Sequence, residues 1–134
     1  MRSVWLRTAI PLIVLVAFVG CRGGQIYEVK DAMVQTGTGH QAASDQVQKA
    51  IIDAGASLGW IMALAKPGEI VGTLNVRSHT AIVTIPFTTK SYSILYKDST
   101  NLKYNAEKQT IHENYNGWIQ RLDNTIRARI AAIG

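Results

Sequence analysis

Apolar and polar positions change rhythm several times along the chain. From Ser44 onward, Val47, Ala50, Ile51, Ala54 and Leu58 recur at three- and four-residue intervals, the spacing that aligns one face of an α-helix. Ser44 is placed to cap that helix and Asp45 falls in its first turn, where negative charge is favoured. Gly55 and Gly59 mark its end. The period then drops to two. "WIMALAK" and "EIVGTLNVR" flank Lys66-Pro67-Gly68-Glu69, a type II turn sequence in which Pro fixes φ and Gly accepts a positive one. Beyond the turn, Ile70, Gly72, Leu74 and Val76 alternate with Val71, Thr73, Asn75 and Arg77. "HTAIVTIPF" puts His79, Ala81, Val83, Ile85 and Phe87 on one face, and Pro86 confines its end to an edge or a bulge. "SYSILYKD" sets Tyr92, Ile94 and Tyr96 on one side. Short polar links between these runs predict an antiparallel meander. Helical spacing returns at Ile111, Tyr115, Trp118, Ile119, Leu122, Ile126 and Ile130, behind a capping-box pattern at Thr110 and Glu113. Asp123 and Arg127 lie off that stripe and read as an exposed i,i+4 pair worth about 0.3 kcal/mol.

The predicted fold is therefore α+β. It runs helix, four strands, helix, with both helices on one face of a four-stranded antiparallel sheet over residues 44–134. Residues 21–43 are rich in Gly and polar residues at both ends and read as a tether, about 25 Å in root-mean-square span. Within it "QIYEV" alternates and suits a short edge strand.

The first twenty residues have a different logic. "MRSVWLR" carries two arginines, and "TAIPLIVLVAFV" follows as an apolar run of a dozen residues. A bilayer span takes about 20 apolar residues, so the run is too short to cross and matches a secretory signal peptide. It closes on Phe18-Val19-Gly20-Cys21, which contains the only cysteine of the chain. A small residue directly before a cysteine resembles the lipobox of bacterial lipoproteins, although Phe18 stands where leucine is usual. The resemblance implies diacylglycerol on the Cys21 sulfur, cleavage before Cys21 and acylation of the new amine, giving a lipid-anchored protein. Arg22, in place of aspartate, implies sorting to the outer membrane. A buried free cysteine after an ordinary signal and an uncut anchor are the alternatives that the residues leave open.

Charge adds little to this picture. The formal charge is +5, and falls to +3 without Arg2 and Arg7. Lys and Arg form no block, so there is no electrostatic footprint for nucleic acid. With Cys21 lipidated, the mature chain has no thiol for a disulfide.

Candidate chemistry is sparse. "GASLG", residues 55 to 59, matches G-x-S-x-G, but here a helix precedes Ser57 and a strand follows, the reverse of a nucleophile elbow. His40, His79 and His112 have no ligand spacing, so neither a metal nor a cofactor is expected. A polar and aromatic set offers more. Arg77, His79, Asp98, His112, Tyr115 and Trp118 could line one ligand site, with flat aromatic faces and donors for a carboxylate, phosphate or sugar. The same residues could equally be structural, through turns and satisfied polar tips. The motifs R-x-H-x-A-x-V-x-I (from Arg77), Y-x-D-S-x-N-L (from Tyr96) and I-H-x-x-Y-N-x-W (from Ile111) resemble those of small uncharacterised proteobacterial envelope lipoproteins, a resemblance that carries no activity with it.

Three functions follow as expectations. The first is a non-catalytic binding or assembly module, held by Cys21 lipid at the periplasmic face of the outer membrane, with an envelope protein or the cell wall as partner. The second is a small envelope hydrolase using His79 or His112 with Asp98. The third is a structural subunit of an envelope complex. Convergence of the His and Asp side chains would favour the second. An open edge strand or exposed apolar patch would favour the third, membership of a larger complex.

Overall fold

A computed structural model describes residues 23–134, so the expected signal segment and Cys21 lie outside the described residues. The protein is α+β, with two helices and antiparallel sheets. In chain order the elements are β1 (Gly23–Gln25), β2 (Val29–Met33), α1 (Ser44–Ser57), β3 (Ile61–Lys66), β4 (Glu69–Val76), β5 (His79–Pro86), β6 (Ser91–Thr100), β7 (Thr110–His112) and α2 (Glu113–Ala131). Strands β3 to β6 form the expected meander. The sheet nevertheless has five strands, in the order β2-β6-β5-β4-β3, and β1 pairs separately with β7.

The additional strands come from residues that read as tether. Val29 and Ala32 are buried beside Ile94 and Tyr92 of β6, and Gly24 pairs with Ile111 of β7. The predicted edge strand over "QIYEV" overlaps both strands at its ends, with Gln25 closing β1 and Val29 opening β2, and its middle three residues link them. Three residues apart, Val29 and Ala32 cannot alternate onto one face of a regular strand. A bulge between them, with Asp31 at φ 51°, lets both reach the core.

The meander buries one face. Ile70 and Leu74 of β4, Ala81, Val83 and Ile85 of β5, and Tyr92 and Ile94 of β6 point to the helices. From above, Val47, Ala50, Ile51 and Ala54 of α1 and Tyr115, Ile119, Leu122, Ile126 and Ile130 of α2 close the core. Gly68 has φ 82° in the β3–β4 turn, as the turn sequence requires. At Gly55, a Cβ would lie 2.4 Å from the Met62 sulfur, so the missing side chain is what lets α1 settle on β3.

Both helix starts differ from expectation. Ala43 occupies the cap position of α1, and its N–H donates to Gln46 Oε1 at 2.9 Å. Gln46 thus reaches back to the cap and Ser44 becomes the first helical residue. For α2, Thr110 belongs to β7 and His112 is the cap, its Nδ1 accepting from Asn114 N at 3.2 Å. Ile111, fully buried, holds this segment extended until the helix begins.

Candidate functional site

The turn between β4 and β5 sits at the end of the sheet where α2 begins. Arg77, its first residue, has φ 56°, a conformation that glycine adopts more easily. Asn101 (φ 58°) and Lys103 (φ 53°), just past β6, are also left-handed. The two segments brace each other. Asn101 Nδ2 donates to Ser78 Oγ at 3.0 Å, and His79 Nδ1 donates to the Asn101 carbonyl at 2.8 Å. His112 joins from the other side, its N–H donating to the Leu102 carbonyl at 2.8 Å. Left-handed non-glycine residues cost about 1–3 kcal/mol each and persist where surrounding contacts fix them, as here.

His79 and His112 come together, with ring centroids 6.1 Å apart, and Trp118 lies 6.4 Å from His79. Their hydrogen bonds use Nδ1 in opposite senses. A carbonyl only accepts, so His79 Nδ1 carries a proton. His112 Nδ1 accepts from a backbone N–H, so its proton is on Nε2. The pair lies beside the half-buried indole of Trp118, and exposed Arg77 begins the adjoining turn. Such a set can recognise a polar group.

Asp98 does not join them. It pairs with Ile82 and lies on the sheet face opposite the helices, with Oδ1 accepting from Ser99 N at 2.7 Å. His79 is two residues from buried Ala81 and so shares the helix-covered face. A bulge in β6 between Tyr96 and Asp98 sets these opposite directions, since Val83 pairs with Tyr96 while Ile82 pairs with Asp98. Among the described residues no three His, Cys, Asp or Glu side chains are grouped to hold a metal, and no helix is long and apolar enough to cross a membrane.

Tyr115 belongs to a separate aromatic stack. Tyr96 lies over Tyr104 at 4.0 Å and meets Tyr115 edge-on at 5.8 Å. The Tyr115 hydroxyl is buried and finds no hydrogen-bond partner among the described residues. Burial, then the nearby Glu28 carboxylate, push its pKa far above the ordinary tyrosine value. Tyr96 is shifted up by burial as well.

Two features escaped the sequence. Asp123 is 5% exposed, not the surface half of an ion pair. It accepts from the Tyr92 hydroxyl on Oδ1 and from Arg127 Nε on Oδ2 at 3.0 Å. Burial and the Asp123 contact raise Tyr92 strongly, and the same contact raises Arg127. Asp123 follows Ile119 by four residues and precedes Ile126 by three, a spacing that places it on the flank of the buried stripe. The second feature is β3. Among the described residues it pairs only with β4 and its other edge is open, with Ile61 64% exposed and Leu64 46%.

A groove of about 430 Å³ lies near the other end of α2, between Met33–Gly37 and Arg127–Ala131. Along the 19 residues of that helix it is about 28 Å from the His79–His112 pair. No family model, curated protein or solved structure matches the chain.

Proposed function

We propose that this protein is a lipid-anchored, non-catalytic assembly module at the periplasmic face of the outer membrane, joined to its partner by strand pairing. The observation that carries the assembly reading is the open β3 edge. Five of its six residues are apolar and none is buried. Natural sheets blunt such edges with charge, proline, bulges or a covering element because an exposed row of N–H and C=O groups recruits another strand. An apolar edge left open through Leu64 is suited to receive one.

The anchor rests on the Phe18–Cys21 resemblance, and the fold gives it a consequence. Gly23 begins β1, so a single residue, Arg22, lies between Cys21 and the folded body, a reach of at most about 7 Å. Lipid on Cys21 would hold the Gly23–His112 end of the domain at the headgroups. Arg77, Lys103 and Trp118 belong to that end and suit an anionic lipid surface. The hydrolase reading needs Asp98 within reach of His79 or His112, and the opposite sheet faces oppose it.

Mass spectrometry of Cys21 peptides from native membranes tests the anchor, with diacylglycerol-modified Cys21 expected; unmodified Cys21 would overturn it. A photo-crosslinking residue at Leu64 or at Lys30, on the other sheet edge, tests the strand-pairing reading in the same membranes. Strong crosslinks from Leu64 and few from Lys30 are expected, and equal yields would count against it.

A further inference from the structure

We propose that the strand received by β3 is the β3 of a second copy, forming a two-fold symmetric dimer centred on Ala63. The proposal rests on reading β3 as a pairing edge and is independent of the lipid on Cys21.

The argument is one of register. In an antiparallel pair, directly opposed residues share a sheet face. A two-fold axis through a self-paired strand must therefore pass through a residue position, not between two. With the axis at Ala63, Ala63 meets the partner's Ala63. Met62 meets the partner's Leu64, and Ile61 meets the partner's Ala65. Every opposed pair is apolar, and both exposed side chains find a cover. Leu64 and Met62 close on the helix side, while Ile61 has small alanines to lie across on the other.

Other centres do worse. An axis at Leu64 sets Met62 against the partner's Lys66, placing a cation on an apolar side chain. An axis at Met62 sets Leu64 against the partner's Trp60. Trp60 precedes the strand, is already buried, and has its N–H bound to the Gly55 carbonyl. The Ala63 register uses Ile61 to Ala65 and leaves Lys66 outside it. Ala65 is the extra residue of the bulge between Leu64 and Lys66, so the ladder ends there.

Charge agrees with self-association. The only ion on the strand is Lys66, which lies 3.7 Å from its own Glu69, so the two edges approach without facing like charges. A single strand pair is small beside the roughly 1,200 Å² of a standard interface, which puts the dissociation constant on the order of micromolar. Confinement to one membrane face would raise the effective concentration well above that.

Sedimentation of the full chain with Cys21→Ser, from about 1 to 100 μM, should show reversible dimerisation across the range. Leu64→Lys should weaken it by about 100-fold or more by setting a cation against the partner's Met62, with an unchanged circular dichroism spectrum because Leu64 is half exposed. On oxidation Ala63→Cys should give a disulfide-linked dimer. Ala65→Cys should not, because two such residues stand four positions out of register, roughly 13 Å apart and beyond disulfide reach. A monomer at every concentration, a dimer indifferent to Leu64→Lys, or equal linking by both cysteines would overturn the proposal. A monomer in solution whose Leu64 crosslinks a different chain in membranes would overturn the second copy and leave the strand-pairing reading standing. An unmodified Cys21 beside an intact dimer would overturn the anchor alone.

Discussion

The two edges of the five-stranded sheet are built on opposite plans. At β2 the ladder is broken in mid-strand by a bulge, and the Asp31 N–H turns to Ser93 Oγ at 3.0 Å. Lys30 and Asp31 are exposed there, while Val29 and Ala32 are buried. At β3 nothing is buried, and the bulge comes only beside the closing turn. One edge is finished and the other is left open. A fold that protects one edge with a bulge and charge and leaves the other apolar has no general tolerance for open edges. The difference is specific to β3.

Substitutions that break each edge separately sharpen the contrast. Tyr92, opposite Ala32, ties the β2 side to α2 through buried Asp123. Tyr92→Phe removes a hydrogen bond to a charged group and should cost about 2 kcal/mol in urea unfolding. The β3 side depends on fit. Alanine is favoured over glycine in a helix by about 1 kcal/mol, yet Gly55→Ala should destabilise because three Met62 side-chain atoms lie within 2.7 Å of the new Cβ. On a Met62→Ala background the same change should turn stabilising, and a double-mutant cycle measures the reversal.

Smaller effects follow. The Tyr115 hydroxyl is buried and unpartnered, so Tyr115→Phe should be neutral or stabilise by up to about 1 kcal/mol, against the loss at Tyr92. The two tyrosines act together on pH. Burial raises both above their unfolded value, so the fold holds these protons more tightly. That contribution is complete below about pH 10 and lost progressively as pH rises past it. Thermal unfolding should show a fall above pH 10, shallower in Tyr115→Phe. Smallest of all, Met33→Lys and Ile61→Lys should each change stability by less than about 0.5 kcal/mol, since both are exposed, and only the β3 change should alter association.

The meander and both helices were legible because their apolar residues repeat at periods of two and of three to four. The strands from the N-terminal segment were not. β1 has no apolar residue to repeat, and the bulge in β2 breaks the alternation between Val29 and Ala32. Thr110 resembles a helix cap in sequence but is drawn into β7 by its neighbour Ile111. Of the candidate residues, His79, His112 and Trp118 come together with Arg77 in the adjoining turn, because His79 shares a face with Ala81 and the others begin α2. Asp98 leaves the group through a single extra residue in β6, which no local pattern signals. The open β3 edge was hidden for a related reason. "WIMALAK" is as apolar as a central strand, and only the sheet order shows that no other described strand lies beside it.

The sheet order also dictates when each part can form. β3 to β6 pair with sequence neighbours, but β2 waits for β6 and β1 waits for β7, with Gly23 opposite His112. Loops this long close late and at an entropic cost. The residues that leave the ribosome earliest are therefore among the last to acquire structure. If Cys21 is the site of lipid attachment, β1, which begins two positions after it, stays unpaired until β7 has been made, so maturation and folding would be kept in sequence by topology alone.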